Sequence, residues 1–134
     1  MTELHWFSRE ECLALHDLLL ADYGGLAGVR DNTMLESALA KPRQLMAYGQ
    51  PTLAELAAAY AAGVVKNHPF IDGNKRTGFM LGAAFLERNG YAFFAAEVDA
   101  TLRTLALAAG ECNEAAYASW LTDNSRPAWP AGFV

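Results

Sequence analysis

Two short windows, residues 53–65 and 77–86, are the most apolar stretches of this chain, and both are rich in alanine and glycine and interrupted by polar residues. Each is too short to cross a bilayer, so both read as helices buried in a protein core. The first carries Leu56, Tyr60, Val64 and Val65 toward that core and ends before Pro69, because the residue preceding a proline is driven out of helical geometry. The second holds Gly78, Gly82, Ala83 and Ala84, small residues that predict a helix packed closely on several sides, as a central helix would be. Such a pair must be enclosed by other elements. With 134 residues and 53% hydrophobic content the chain can build one core and is short for two.

Helix punctuation divides the remainder. Ser8 and Glu11 have the spacing of a capping box, in which hydroxyl and carboxylate each satisfy an orphan amide of a new helix. Cys12, Leu15, Leu19 and Leu20 follow at near-helical spacing, and Gly24-Gly25 stops the run. Thr33 and Glu36 repeat the box, and this second helix is expected to end near Lys41, since Pro42 cannot continue it. Residues 43–50 then read as a loop or small hairpin. The third helix starts at Pro51-Thr52-Leu53, and the fourth is expected to open around Arg76-Thr77 and to close at Asn89-Gly90. After a short extended piece at 91–95 come helices over 97–109, stopped by Gly110, and over 113–123, capped by Asn113. No convincing pair of alternating strands is visible. The expectation is a single all-α domain of about six helices over residues 1–124, followed by an extended or loosely docked tail over 125–134 that contains Pro127, Pro130 and Gly132.

A formal net charge of -5 leaves no overall positive field to gather a phosphate backbone, so direct nucleic-acid binding is not expected. Cys12 and Cys112 lie far apart with no C-x-x-C pair or neighbouring histidine to suggest zinc; free thiols in a reducing cytoplasm are the simple reading. Met1-Thr2-Glu3-Leu4-His5 has no basic segment leading into an apolar one, so neither a secretory signal nor a membrane partner is expected.

Between the two central helices runs His68-Pro69-Phe70-Ile71-Asp72-Gly73-Asn74-Lys75-Arg76. An imidazole, a carboxylate, a carboxamide and two cations within nine residues are hard to explain by packing. His68 can act as a general base near neutral pH. Asp72 offers a hard oxygen suited to magnesium that arrives bound to phosphates. Gly73 allows a tight turn or close approach to a ligand. Asn74 can donate to a phosphate oxygen, and Lys75 and Arg76 can neutralise charge that builds on a transferred group. The following helix start, through Thr77, adds unpaired amides and a positive dipole end. Phe70 is expected to plug the loop into the core, and Pro69 to fix the chain at the helix end. Taken singly, each residue has an ordinary reading: a helix-end histidine, an Asp-Gly turn, a solvated Lys-Arg face. Their combination ahead of a helix start favours phosphate chemistry. His5, Trp6 and His16 read as packing or surface residues, Glu97, Asp99 and Glu111 as caps or first-turn charges, and Trp129 and Phe133 as part of a floppy tail.

The nine-residue run resembles the signature of the Doc (death-on-curing) toxins, a branch of the Fic superfamily, written His-x-Phe-x-Asp-(Ala/Gly)-Asn-Lys-Arg. Gly28-Val29-Arg30-Asp31 with Leu35-Glu36-Ser37-Ala38-Leu39-Ala40-Lys41-Pro42 is similar to that family's N-terminal helix region, and residues 109–121 are similar to its C-terminal helices. The resemblance implies a Fic-type helical fold and the toxin of a toxin-antitoxin pair that phosphorylates a threonine of elongation factor Tu and so blocks translation. By position it implies His68 as base, Asp72 as the magnesium-linked carboxylate, Asn74, Lys75 and Arg76 as phosphate ligands with Gly73 and Thr77 at the ATP site, and residues 44–50 as a flap that aligns the target by strand addition.

Fic enzymes that transfer AMP resemble this chain less closely at two positions. Their pattern, His-Pro-Phe-x-x-Gly-Asn-Gly-Arg-x-x-Arg, has a glycine where Lys75 stands and an arginine where Phe79 stands. The lysine fills space used by inner phosphates and suits a terminal one, which favours a kinase, while Pro69 and Gly73 agree with the AMP-transferring group. AMP transfer therefore stays open, as does an inert module that binds a phosphorylated or nucleotide-bearing partner at the same anion site. No Glu-Gly-Asn occurs in the chain, so the self-inhibiting helix of some Fic proteins is missing and restraint is expected from a Phd-like antitoxin.

Overall fold

The structure, a computed structural model, describes residues 3–128. Six helices, α1 (Arg9–Tyr23), α2 (Asn32–Tyr48), α3 (Leu53–Asn67), α4 (Asn74–Arg88), α5 (Glu97–Ala109) and α6 (Glu114–Asp123), are joined by two three-residue strands, β1 (Tyr91–Phe93) and β2 (Ser125–Pro127). The all-α expectation holds.

The central element is α3. Every residue from 56 to 65 is buried, and α2, α4, α5 and α6 all pack on it. Its alanines make this crowding feasible, because helices approach closely only where side chains are short. Against it lies α4, whose glycines set the separation: a Cβ at Gly82 would sit 2.9 Å from the Ala57 carbonyl oxygen, and one at Gly78 would sit 2.7 Å from Val65 Cγ2. The small-residue pattern on α4 is thus a contact with the buried helix rather than a mark of the centre. Tyr60 is wholly enclosed, its hydroxyl accepting from the Phe7 amide at 3.0 Å, so the segment before α1 is tied to the core as well.

Several helix ends follow the capping logic. The boxes Ser8/Glu11 and Thr52/Glu55 are both formed, and Asn113 caps α6 through the Ala116 amide at 2.8 Å. Others differ. The cap of α2 is Asp31, accepting from the Met34 amide at 3.1 Å, and not Thr33. This helix does not end near Lys41 but continues through Pro42 to Tyr48. A mid-helix proline forfeits one hydrogen bond and costs about 3 kcal/mol; here the Pro42 ring is buried, and the Arg43 guanidinium beside it lies 5.0 Å from the Trp6 ring. The continuation leaves no hairpin at residues 44–50, so the flap expected there is helical up to Tyr48. The only strand pair among the described residues lies elsewhere: β1 and β2 run antiparallel, Tyr91 opposite Pro127 and Phe93 opposite Ser125. Three-residue strands are too short for alternation to reveal. The start of the expected tail is therefore docked, while Trp129, Pro130, Gly132 and Phe133 lie outside the described residues. No helix among the described residues is long and apolar enough to cross a membrane.

The α3–α4 separation is directly testable. Gly82→Ala forces a methyl against a backbone oxygen that cannot swing aside, and should lower stability by about 1–3 kcal/mol, as expected for overpacking. Urea unfolding followed by circular dichroism will read it, and an unchanged midpoint would refute the close contact.

Candidate active site

Where α3 ends, His68 takes the left-handed conformation, φ 52° and ψ 54°, and its amide bonds the Val64 carbonyl at 3.2 Å. It is the only non-glycine residue with positive φ among those described. Pro69 prevents the helix from resuming. Phe70 then turns fully into the core, as expected, where its ring stacks on His16 of α1 with centroids 3.8 Å apart and planes 8° from parallel. His16 Nε2 lies 2.8 Å from the Asp72 carbonyl oxygen; a carbonyl only accepts, so this nitrogen carries a proton. His16 is thus more than packing: it holds the loop from beneath.

A second brace comes from the connection between α1 and α2. The Ile71 amide donates to the Gly28 carbonyl at 3.0 Å, the Arg30 and Asp31 amides donate to the Pro69 carbonyl at 2.7 and 3.1 Å, and Val29 and Phe70 pair as an isolated antiparallel bridge. At Gly28, where φ is +120°, a Cβ would approach Ile71 Cδ1 to 2.9 Å, so a glycine lets the two segments meet.

The loop divides its side chains by exposure. His68, Asp72, Lys75 and Arg76 are exposed, while Asn74 (4% exposed) and Thr77 (0%) are buried. Asn74 Oδ1 accepts from the Phe70 amide at 3.0 Å, and Nδ2 donates to the Phe70 carbonyl at 2.9 Å. These two bonds fix the amide's orientation, so Nδ2 also faces His68 Nδ1, 3.2 Å away. Nδ1 is then the acceptor, and the neutral ring carries its proton on Nε2. In this arrangement the Asn74 side chain is engaged within the loop, by Phe70 and His68. Thr77 cannot touch a bound molecule in this arrangement: its hydroxyl is buried without a partner and its amide donates to the Gly73 carbonyl at 2.9 Å.

What remains is a helix start whose backbone amides and neighbouring cations are chemically suited to an anion. The N-terminus of α4 lies at Asn74, earlier than expected, with Gly73 (φ 81°) as its cap and no side chain bonded to its first amides. Helix geometry leaves the Asn74, Lys75 and Arg76 amides without intrahelical partners, with the positive end of the dipole behind them. Lys75 and Arg76 stand in this first turn. Lys75 and His68 line one open groove of about 740 Å³ between the end of α3 and α5, together with Lys66, Leu102, Leu105 and Ala106. Asp72 and Arg76 do not line it; they are engaged by the end of α1 and the residues after it. Asp72 Oδ2 accepts from the Leu26 amide at 3.1 Å and Oδ1 from the Gly73 amide at 2.9 Å, while the Arg76 guanidinium stacks 4.1 Å from the Tyr23 ring. No cluster of three or more histidine, cysteine or acidic side chains able to hold a metal occurs among the described residues. The lone Asp72 carboxylate fits a magnesium ion that brings phosphate and water ligands with it, and does not fit a metal held by protein alone. Cys12 is buried, and burial pushes its thiol up to about 11, so it is no nucleophile at neutral pH.

Comparison with known proteins bears on the family. The model of the Fic/DOC family matches residues 6–86. The chain is 36% identical over 115 residues to a protein named protein kinase doc from Escherichia phage P1, covering 85% of this chain and 90% of that one. It is also 38% identical over 93 residues to a protein named toxin Doc from Mycolicibacterium smegmatis, covering 67% of each.

Removing the support under Phe70 should be costly. His16→Ala deletes a buried stacking partner and a hydrogen bond together, and is expected to lower stability by about 2–4 kcal/mol. Thermal unfolding will measure it, and a loss under about 0.5 kcal/mol would place the loop's support elsewhere.

Proposed function

The chain belongs to the Fic/DOC family, and on that premise we propose that it is the toxin of a toxin-antitoxin pair, an ATP-dependent kinase that phosphorylates a threonine of a translation factor, with elongation factor Tu as the candidate target. The observation that carries the kinase reading is Lys75: a long cation lines the same groove as His68, in the first turn of a helix whose leading amides bear no side-chain cap. Such an arrangement suits the most highly charged end of a nucleotide, the terminal phosphate.

In this reading the threonine oxygen attacks the γ-phosphorus in line, the bond from that phosphorus to the β–γ bridging oxygen breaks, and ADP departs with the electron pair. The hydroxyl proton passes to His68. The ring's only lone pair at rest is the one Asn74 Nδ2 occupies, so base action requires the ring to turn from Asn74 or its proton to move from Nε2 to Nδ1. Lys75, Arg76 and the amides of residues 74–76 stabilise the charge that develops on the phosphoryl oxygens. Asp72 would hold magnesium, whose contribution is to neutralise the phosphates it accompanies. In this reading restraint of the enzyme falls to a Phd-like antitoxin, as the likeness to the Doc toxin relatives suggests.

Incubation of the purified protein with elongation factor Tu and ATP labelled at the γ or the α position tests this reading. Transfer of γ label is expected, falling about 10²- to 10⁴-fold in His68→Ala. Transfer of α label alone would establish AMP transfer instead, and growth arrest that persists in His68→Ala would point to a binding module.

A further inference from the structure

We propose that Arg30 is a positioning residue for His68. Its guanidinium donates from Nε to the His68 carbonyl at 2.6 Å and from Nη2 to the Asn67 carbonyl at 2.9 Å. The two oxygens are consecutive at the end of α3, where the helix dipole is negative and no further turn exists to satisfy them. A planar fork that meets both is a charge-assisted clamp.

Three observations make this more than a helix cap. First, His68 is the described non-glycine residue in left-handed geometry, which a residue bearing a Cβ keeps only when its surroundings hold it there. The His68 amide is held by Val64 and its carbonyl by Arg30, so the arginine fixes one of the two peptide groups that define the turn. Second, Arg30 is itself anchored, because its amide donates to Pro69 at 2.7 Å; side chain and backbone together grip residues 67–69. Third, no ion pair among the described residues includes Arg30, so no carboxylate competes with these two carbonyls for its exposed guanidinium. The His68 ring is exposed, and Asn74 is its only hydrogen-bond partner among the described residues. The direction of its Cα–Cβ bond, together with that one contact, governs where the imidazole points, and Arg30 helps to hold that direction through the His68 carbonyl.

The catalytic consequence rests on His68 being the base, but the positioning itself can be measured without catalysis. In isotopically labelled full-length protein, Arg30→Ala should shift or broaden the His68 amide and imidazole resonances and change its Cα shift away from the left-handed value, while circular dichroism stays unchanged. In phosphate transfer, kcat should fall about ten- to a hundredfold with KM for ATP within about twofold, the pattern of a misplaced catalytic group. Arg30→Lys, which keeps the charge but loses the fork, should fall between; Arg30→Gln serves if the alanine variant folds poorly. Unperturbed His68 resonances would overturn the proposal, as would a raised KM with unchanged kcat, which would mean that Arg30 meets the nucleotide directly. If the wild type transfers no phosphate, the kinase reading fails and the resonance shifts still decide the role of Arg30.

Discussion

The stacked pair of Phe70 and His16 is the contact on which the candidate site depends. An exposed polar loop between two helices has little to hold it in one shape, because each of its charged groups is better solvated than paired. Burying one aromatic side chain in mid-loop changes that. Phe70 anchors the loop in the core, His16 stacks on its ring and holds the Asp72 carbonyl, and Asn74 closes back onto the Phe70 backbone on the other side. The loop is thereby a small ordered unit whose inward residues are all engaged, leaving His68, Asp72, Lys75 and Arg76 to face solvent.

The same economy bears on how an acidic protein could accommodate the phosphate proposed for this site. The net charge of -5 disfavours long-range attraction of anions. Locally the balance reverses. A glycine-capped helix start directs unpaired amides outward, with Lys75 and Arg76 in its first turn and Lys66 on the wall of the adjoining groove. Such a field is short-ranged and suits a ligand that is brought in by several contacts at once, rather than a polymer captured at a distance.

The helices were largely legible because their signals are local. The capping box at Ser8/Glu11, the helix start at Thr52-Leu53, the Asn113 cap and the stop at Gly110 each require only a few neighbouring residues, and each appears as read. Misreadings arose where a distant contact overrode a local rule. Pro42 should end a helix, but α2 continues past its buried ring to Tyr48 and leaves no room for the expected hairpin. Asp31 displaces Thr33 as the cap, and a strand pair forms between segments too short to alternate. In the site, the motif identified the loop but could not say which of its polar groups face inward. Asn74 and Thr77 are chemically fit to meet a phosphate and are turned inward, the amide onto the loop's own backbone and the threonine onto the buried side of α4.

The residues that brace the site from outside the motif were the least visible. His16 read as packing, and Arg30 was notable only for its resemblance to a family pattern, because their roles depend on residues 56 and 38 positions away in the chain respectively. By itself the sequence determined the number and order of the helices, the burial of α3 and Phe70, and the presence of an imidazole, a carboxylate and two cations at one helix junction; these follow from hydrophobic spacing, capping and the composition of nine consecutive residues. Only the tertiary structure decided which side chains face the solvent, which nitrogen of His68 accepts, and which distant residues hold the loop. Those outcomes are set by contacts between segments remote in sequence, where burial competes with hydrogen bonding and no local pattern records which prevails.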